Sequence, residues 1–381
     1  MGDDCFGHGR PPARLVHLNI DKQFLPIAWS GGYGVSFSVI IHSMKKILFF
    51  LILIFGLVFI FLNFSEVEDI LDTLSRGDWR YILLALMLQC VWMLNVALSY
   101  YYVYRALDLE ERFETLILLV GSAFFLNVVA PTAGMGGIAM FVSQARRKGL
   151  SSARVAVAGV LVVLLDYLAF IAVLILGLIV LFRRNNLDFV ELFASGVFFL
   201  VAGILALLLY LGIKSASQMG NALAWLARLV NKLMYPFLRK QYLSEKRAYE
   251  FAGDASQGLQ RLRSEPHKLA LPVLLGLSNK ALLITILFIM FLAFKVPLSP
   301  GTLIAGFSIG YLFFIVSPTP AGVGFVEGAL TLGLNSLNVP LGRATIIALA
   351  FRGITFWVPL IFGMVAFRLV SRFPKVSTQP E

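Results

Sequence analysis

Long apolar runs, each bounded by polar or charged loops, recur along nearly the whole chain and fix what it can fold into. One spans residues 47–64, and five more lie at 81–104, 155–182, 192–213, 269–294 and 344–367. A helix rising 1.5 Å per residue needs about 20 residues to cross a ~30 Å hydrocarbon core. Each run therefore reads as a membrane-crossing helix, the structure that satisfies every backbone polar group within one segment. The balance of residues agrees. Of 381 residues, 59% are hydrophobic and 14% charged, against soluble norms of roughly 45–50% and about 25%. An ordinary soluble enzyme is excluded, and the fold class expected is an all-α polytopic membrane protein with about six full spans.

Two further runs, 116–130 and 303–316, are too short and stop at proline. The first runs into Pro131-Thr132-Ala133-Gly134-Met135-Gly136, the second into Pro318-Thr319-Pro320-Ala321-Gly322-Val323-Gly324. Both follow a Phe-Phe pair, and both precede a short, partly apolar stretch and then a long span. This is an internal repeat. The glycines permit the positive φ that a tight tip requires, and free N–H groups opening a half-helix also make an anion site.

Charge decides how the short runs sit. If both are re-entrant hairpins, Lys45, Lys46, Arg105, Arg112, Arg146, Arg147, Lys148, the 214–268 loop and the tail share the cytoplasmic side. Arg183 and Arg184 alone dissent. If the first short run crossed, the loop, with ten Lys or Arg against four acids, would be exported. Three spans separate the hairpins, so they enter from opposite sides as an inverted repeat, an arrangement that in transporters surrounds a substrate site.

Ionisable groups inside apolar runs cost at least ~2.5–3.5 kcal/mol, so they imply partners or an aqueous cavity. Asp166, Lys280, Glu327 and Arg352 stand in such places, with Asn127 just before the first break and Asn279 beside Lys280. One reading is a substrate pocket, in which Arg352 or Lys280 meets a phosphate and Asp166 or Glu327 a cation or proton. The other is static pairing, Asp166 with Lys280 and Glu327 with Arg352. The candidate substrate-binding set is Asn127, Pro131, Gly134, Gly136, Asp166, Lys280, Pro318, Thr319, Pro320, Gly322, Gly324, Glu327 and Arg352. Gln89 and Asn95 read as interhelical hydrogen-bonding groups and Gly306 and Gly310 as a packing face.

Within the loop, Met219, Leu223, Leu226, Val230 and Leu233 recur at helical spacing beside Arg228 and Lys232. That pattern suits an amphipathic helix resting on anionic lipid, or one packed on the membrane domain. Residues 245–263 read as a solvated helix. Residues 1–43 are expected to be a disordered tail or to precede the natural start at Met44, 44–372 to form the transmembrane domain, and 373–381 a cytoplasmic tail. Two cysteines and four scattered histidines give no metal or disulfide spacing. No P-loop is present, so transport would run downhill or be ion-coupled. The net charge of +11 is accounted for by basic loops, without a nucleic-acid partner.

The stretch from Pro318 through Gly322 and Gly324 to Glu327 resembles the Pro-x-Pro-Gly-Gly-x-Gly-x-x-Glu signature of the transmembrane region of lysylphosphatidylglycerol synthases and their stand-alone relatives. The likeness runs from about Lys45 to Arg372. It is weaker in the first repeat, where Ile138, Phe141 and Val162-Val163 replace polar residues common in that family. The resemblance implies a flippase-like domain in the inner membrane with both termini cytoplasmic. It handles an anionic or aminoacylated phospholipid or a polyprenyl-linked lipid, and takes no cofactor. Only a short tail follows the last span, so no aminoacyl-transferase domain, and no enzyme activity, is expected. The alternative is an accessory membrane subunit or an enzyme of lipid or envelope modification, with a membrane-enzyme partner. Homo-oligomers suit either reading.

Overall fold

A computed structural model describes residues 64–129, 135–238, 244–317 and 319–371. The expected first span, the tails 1–43 and 373–381, and Pro131, Gly134 and Pro318 lie outside the described residues. What is described is helical: α1 Phe64–Ser75, α2 Trp79–Ala106, α3 Phe113–Val129, α4 Met135–Arg147, α5 Ser152–Arg183, α6 Phe189–Lys214, α7 Ala216–Leu238, α8 Glu245–Ser264, α9 Ala270–Ala293, α10 Pro300–Val316, α11 Phe325–Ser336, α12 Leu341–Arg352 and α13 Val358–Ser371. A π turn, Gly353–Trp357, joins α12 to α13 into one rod. Five helices, α2, α5, α6, the one ending in α9, and the α12–α13 rod, are long and apolar enough to cross a membrane. Their outer faces carry bare apolar side chains, such as Phe189 at 78% and Leu200 at 63% exposure on α6. Contiguous apolar surface of that extent suits lipid, not water.

The helix limits follow from local chemistry. Asp78 and Ser151 accept hydrogen bonds from the N–H groups of Arg80 and Arg154, capping α2 and α5. Ser299 caps α10 through the Thr302 N–H, with Pro300 in the first turn. α10 ends because the residue before a proline avoids the helical region: Ser317 is extended, at φ −60° and ψ 134°. α3 and α10 are each 17 residues, about 25 Å long and short of a full crossing.

Both short helices turn back. α11 lies antiparallel on α10, with Leu334 against Gly306 and Leu330 against Gly310. The open ends of this hairpin meet at Arg184, which donates to Thr302 Oγ1 at 3.1 Å and to the Leu337 carbonyl at 3.5 Å. Asn186 donates to the Ser336 carbonyl. α3 and α4 pair likewise, their open ends joined by Lys148 and Glu111 at 2.6 Å. Packing is then exchanged between the halves: α3 lies on α13, and α10 lies on α5. At the α3–α13 crossing Gly121 and Gly363 bring the two backbones into contact. A Cβ on Gly363 would stand 2.3 Å from the Gly121 carbonyl oxygen.

Two apolar cores result. One surrounds α10 and α11 with α5, α9 and α12, the other α3 and α4 with the near half of α5 and with α8. The place of α8 corrects the solvated reading of 245–263. Ala252, Ala255, Gly258, Leu259 and Leu262 are buried, and the Ser256 hydroxyl donates to the Gly212 carbonyl at 2.7 Å. α7 is packed on α8, with Gly220 against Tyr249 and Met219, Ala224 and Ala227 buried, while Trp225, Leu226, Arg228 and Leu229 face outward. Met219 and Leu223 thus belong to the protein-facing side, and the exposed apolar stripe is offset from them.

Candidate functional site

The second break winds through three left-handed residues: Ala321 at φ 51°, Gly322 at φ 77° and Gly324 at φ 75°. Glycine adopts this region freely, whereas alanine pays about 1–2 kcal/mol. Local hydrogen bonds hold the turn. The Thr319 N–H donates to Ser317 Oγ at 3.1 Å, the Thr319 hydroxyl to the Val323 carbonyl at 3.1 Å, and the Gly322 N–H to the Thr319 carbonyl at 3.0 Å. Gly324 then starts α11, which puts Glu327 in the first turn, where the helix dipole favours an anion.

Arg352, the last residue of α12, closes this turn from the opposite side. Its Nε donates to Glu327 Oε1 at 2.7 Å, its Nη2 to the carbonyl of the left-handed Ala321 at 3.0 Å, and its guanidinium lies 4.7 Å from the Phe356 ring centre. Glu327 is 7% and Arg352 5% exposed. One carboxylate oxygen, Oε2 of Glu327, makes no hydrogen bond. The pair therefore carries an acceptor with spare capacity beside a tip that also packs on α3.

A second cluster links α5, α9 and α10. Lys280 Nζ lies 2.7 Å from both oxygens of Asp166, the Tyr311 hydroxyl donates to Asp166 Oδ2 at 2.7 Å, and Nζ sits 3.7 Å from the Tyr311 ring centre. Lys280 is buried, whereas the Asp166 side chain keeps 25% of its surface. Next to it Asn95 of α2 donates to Asn279 Oδ1 at 2.8 Å and lies 2.7 Å from Ser278 Oγ.

Both pairings inferred from the sequence are thus formed, and they make two separate clusters, with Tyr311 on α10, the helix that leads into the turn, and Lys280 on α9, which packs on the helix of Arg352. Asn127 stands in neither. Its Oδ1 accepts from the Gly137 N–H at 2.7 Å and so braces the first break, beside buried Gly136. Gln89 is a correction: it is buried without a hydrogen bond at either side-chain amide atom. Tyr311 was missed because an aromatic residue within an apolar run reads as lipid-facing. Phe356 and the Ala321 carbonyl leave no sequence signal at all. The polar positions lost from the first repeat have become packing: Phe141 stacks on Tyr100 with centroids 4.4 Å apart, and Ile138 covers Gly159.

A family model described as the lysylphosphatidylglycerol synthase TM region matches residues 46–363. A UPF0104 membrane protein of Methanocaldococcus jannaschii is 21% identical over 338 residues, covering 87% of this chain and 96% of the relative. Another from Pyrococcus horikoshii is 25% identical over 331 residues, 84% and 96% of the two chains. A third, from Methanothermobacter thermautotrophicus, is 25% identical over 305 residues, 78% and 88%.

Proposed function

The chain belongs to the lysylphosphatidylglycerol synthase transmembrane-region family, and we propose that this multi-pass membrane protein moves a phospholipid or polyprenyl-linked lipid between leaflets without being an enzyme. The observation that carries the reading is the buried Glu327–Arg352 pair at the tip of a hairpin too short to cross. Two hairpins whose ends return to their own starting level support re-entry from opposite sides, and so an inverted repeat. Arg184, one of the two dissenting arginines, supports it too: as the clasp of the second hairpin it has a structural reason to lie outside, while the basic clusters at 105–112, 146–148 and 214–268 lie on the cytoplasmic side. On this reading the protein lies in the plasma membrane with both termini cytoplasmic, and anionic headgroups are its partners.

In mechanism, a headgroup phosphate would compete with Glu327 for the Arg352 guanidinium, whose planar fork suits phosphate oxygens. A cationic headgroup would instead use the spare Glu327 oxygen. The phosphate exchange loosens Arg352 from the Ala321 carbonyl, and with it the left-handed turn, whereas a cation at the spare oxygen leaves both in place. The test is translocation of fluorescent phospholipids in proteoliposomes, comparing wild type with Glu327→Gln and Arg352→Gln. Loss of activity in folded variants is expected. A wild type that moves no headgroup tried would overturn the proposal and point to an accessory subunit.

A further inference from the structure

A cleft of about 1100 Å³ opens where α2 ends, α3 begins, α4 ends and the helix of α9 starts. This is the open mouth of the first hairpin, far along the chain from the turn at Arg352. The charges on its walls are unevenly matched. Glu111 is taken by Lys148 at 2.6 Å, Asp108 by Arg261 outside the lining, and Lys268 by Glu265. Arg105 lies 4.7 Å from the Tyr101 ring centre. Among the ion pairs of the described residues, neither Arg105 nor Arg112 meets a carboxylate, and Glu110 alone of the lining acids is left to oppose them.

The cleft also has an apolar exit. Leu271 lines it and begins a row on α9, Leu271, Leu274 and Leu277, at one side of the helix and 39%, 60% and 45% exposed. Two guanidiniums without a carboxylate partner, one of them resting on the Tyr101 ring, beside an apolar rail match one amphiphile, with its phosphate at the arginines and its chains along the leucines.

We propose that this cleft is the docking site for the headgroup phosphate of a membrane phospholipid, held by Arg105 and Arg112, with its acyl chains on Leu271, Leu274 and Leu277. The inference deepens the translocase reading and rests on it: it names a loading site on the face taken as cytoplasmic. Guanidinium–phosphate contacts are charge-assisted and bidentate, so losing two of them is expected to weaken binding by about tenfold or more.

Native mass spectrometry of the purified full chain tests this, titrating dioctanoyl phosphatidylglycerol, dioctanoylglycerol and inorganic phosphate. Wild type is expected to retain the phosphatidylglycerol, not the phosphate-free diglyceride, and inorganic phosphate is expected to displace it only weakly. Arg105→Gln with Arg112→Gln should lose about tenfold in affinity, and Lys246→Gln, an exposed cation outside the cleft, should lose nothing. If the double variant does not fold, Arg112→Gln alone should still weaken retention about threefold, since it stands on an exposed loop. Unchanged affinity in the arginine variants overturns the proposal, as does equal retention of diglyceride, or displacement by free phosphate at the same concentration as the lipid. A wild type that binds through these arginines yet translocates nothing defeats the translocase reading alone. A wild type that translocates with arginine-independent binding defeats this inference alone.

Discussion

Replacing Arg352 by glutamine should destabilise the fold far more than replacing its partner Glu327 by glutamine, although both remove one charge from the same pair. Arg352 holds three groups: Glu327 Oε1, the Ala321 carbonyl and the Phe356 ring. Without it Glu327 keeps a buried carboxylate with neither oxygen paired, because Oε2 already lacks a partner. Breaking a buried ion pair from one side costs ~3–5 kcal/mol. In Glu327→Gln the amide oxygen still accepts from Arg352 Nε, and the new NH2 replaces an oxygen that bonded nothing. Arg352 loses its counter-charge, but its guanidinium keeps the amide oxygen, the Ala321 carbonyl and the Phe356 ring, so the loss is smaller, about 1–2 kcal/mol. The gap of about 2 kcal/mol is roughly thirtyfold in the unfolding equilibrium. The assay is SDS-driven unfolding in mixed micelles, followed by near-UV circular dichroism. The double variant, with no charge left unpaired, should be more stable than Arg352→Gln alone. Equal losses in the two single variants, or strict additivity in the double, would refute the reasoning.

In the same assay Gly363→Ala should cost ~1–3 kcal/mol, because its Cβ would enter the Gly121 backbone. Gly203→Ala on α6, where an added Cβ meets nothing within 4 Å, should be neutral or stabilise by up to about 1 kcal/mol. Tyr311→Phe removes a hydrogen bond to a carboxylate and should cost ~1.5–3 kcal/mol with little change in helix content by far-UV circular dichroism. Arg184→Gln should loosen the mouth of the second hairpin, read as faster hydrogen exchange in Ser336–Val339 than in α6.

The five long helices were legible because lipid demands length and apolarity together, which no other fold requires. The breaks were legible because proline and glycine act locally on the backbone. Both ion pairs were legible because a charge in an apolar run needs a partner and few partners exist. α8 was not: its buried face is built from Ala252, Ala255 and Gly258, small residues whose contribution is close approach and not hydropathy. Nor was the role of Arg184, since charge counting treats every arginine as a topological marker and cannot see one used as a clasp. The cleft at Arg105 and Arg112 joins four chain segments far apart in sequence, and local reading does not assemble such sites.

The π turn at Gly353–Trp357 has a consequence for the phase of the last rod. One residue more than an α-helix needs turns everything beyond it by about 100° relative to an uninterrupted helix. The rod therefore shows Arg352 to α11 on one side of the insertion and Gly363 to α3 on the other. An uninterrupted α-helix of the same sequence could serve one hairpin or the other, but not both. That single surplus residue lets one rod keep both hairpins in register.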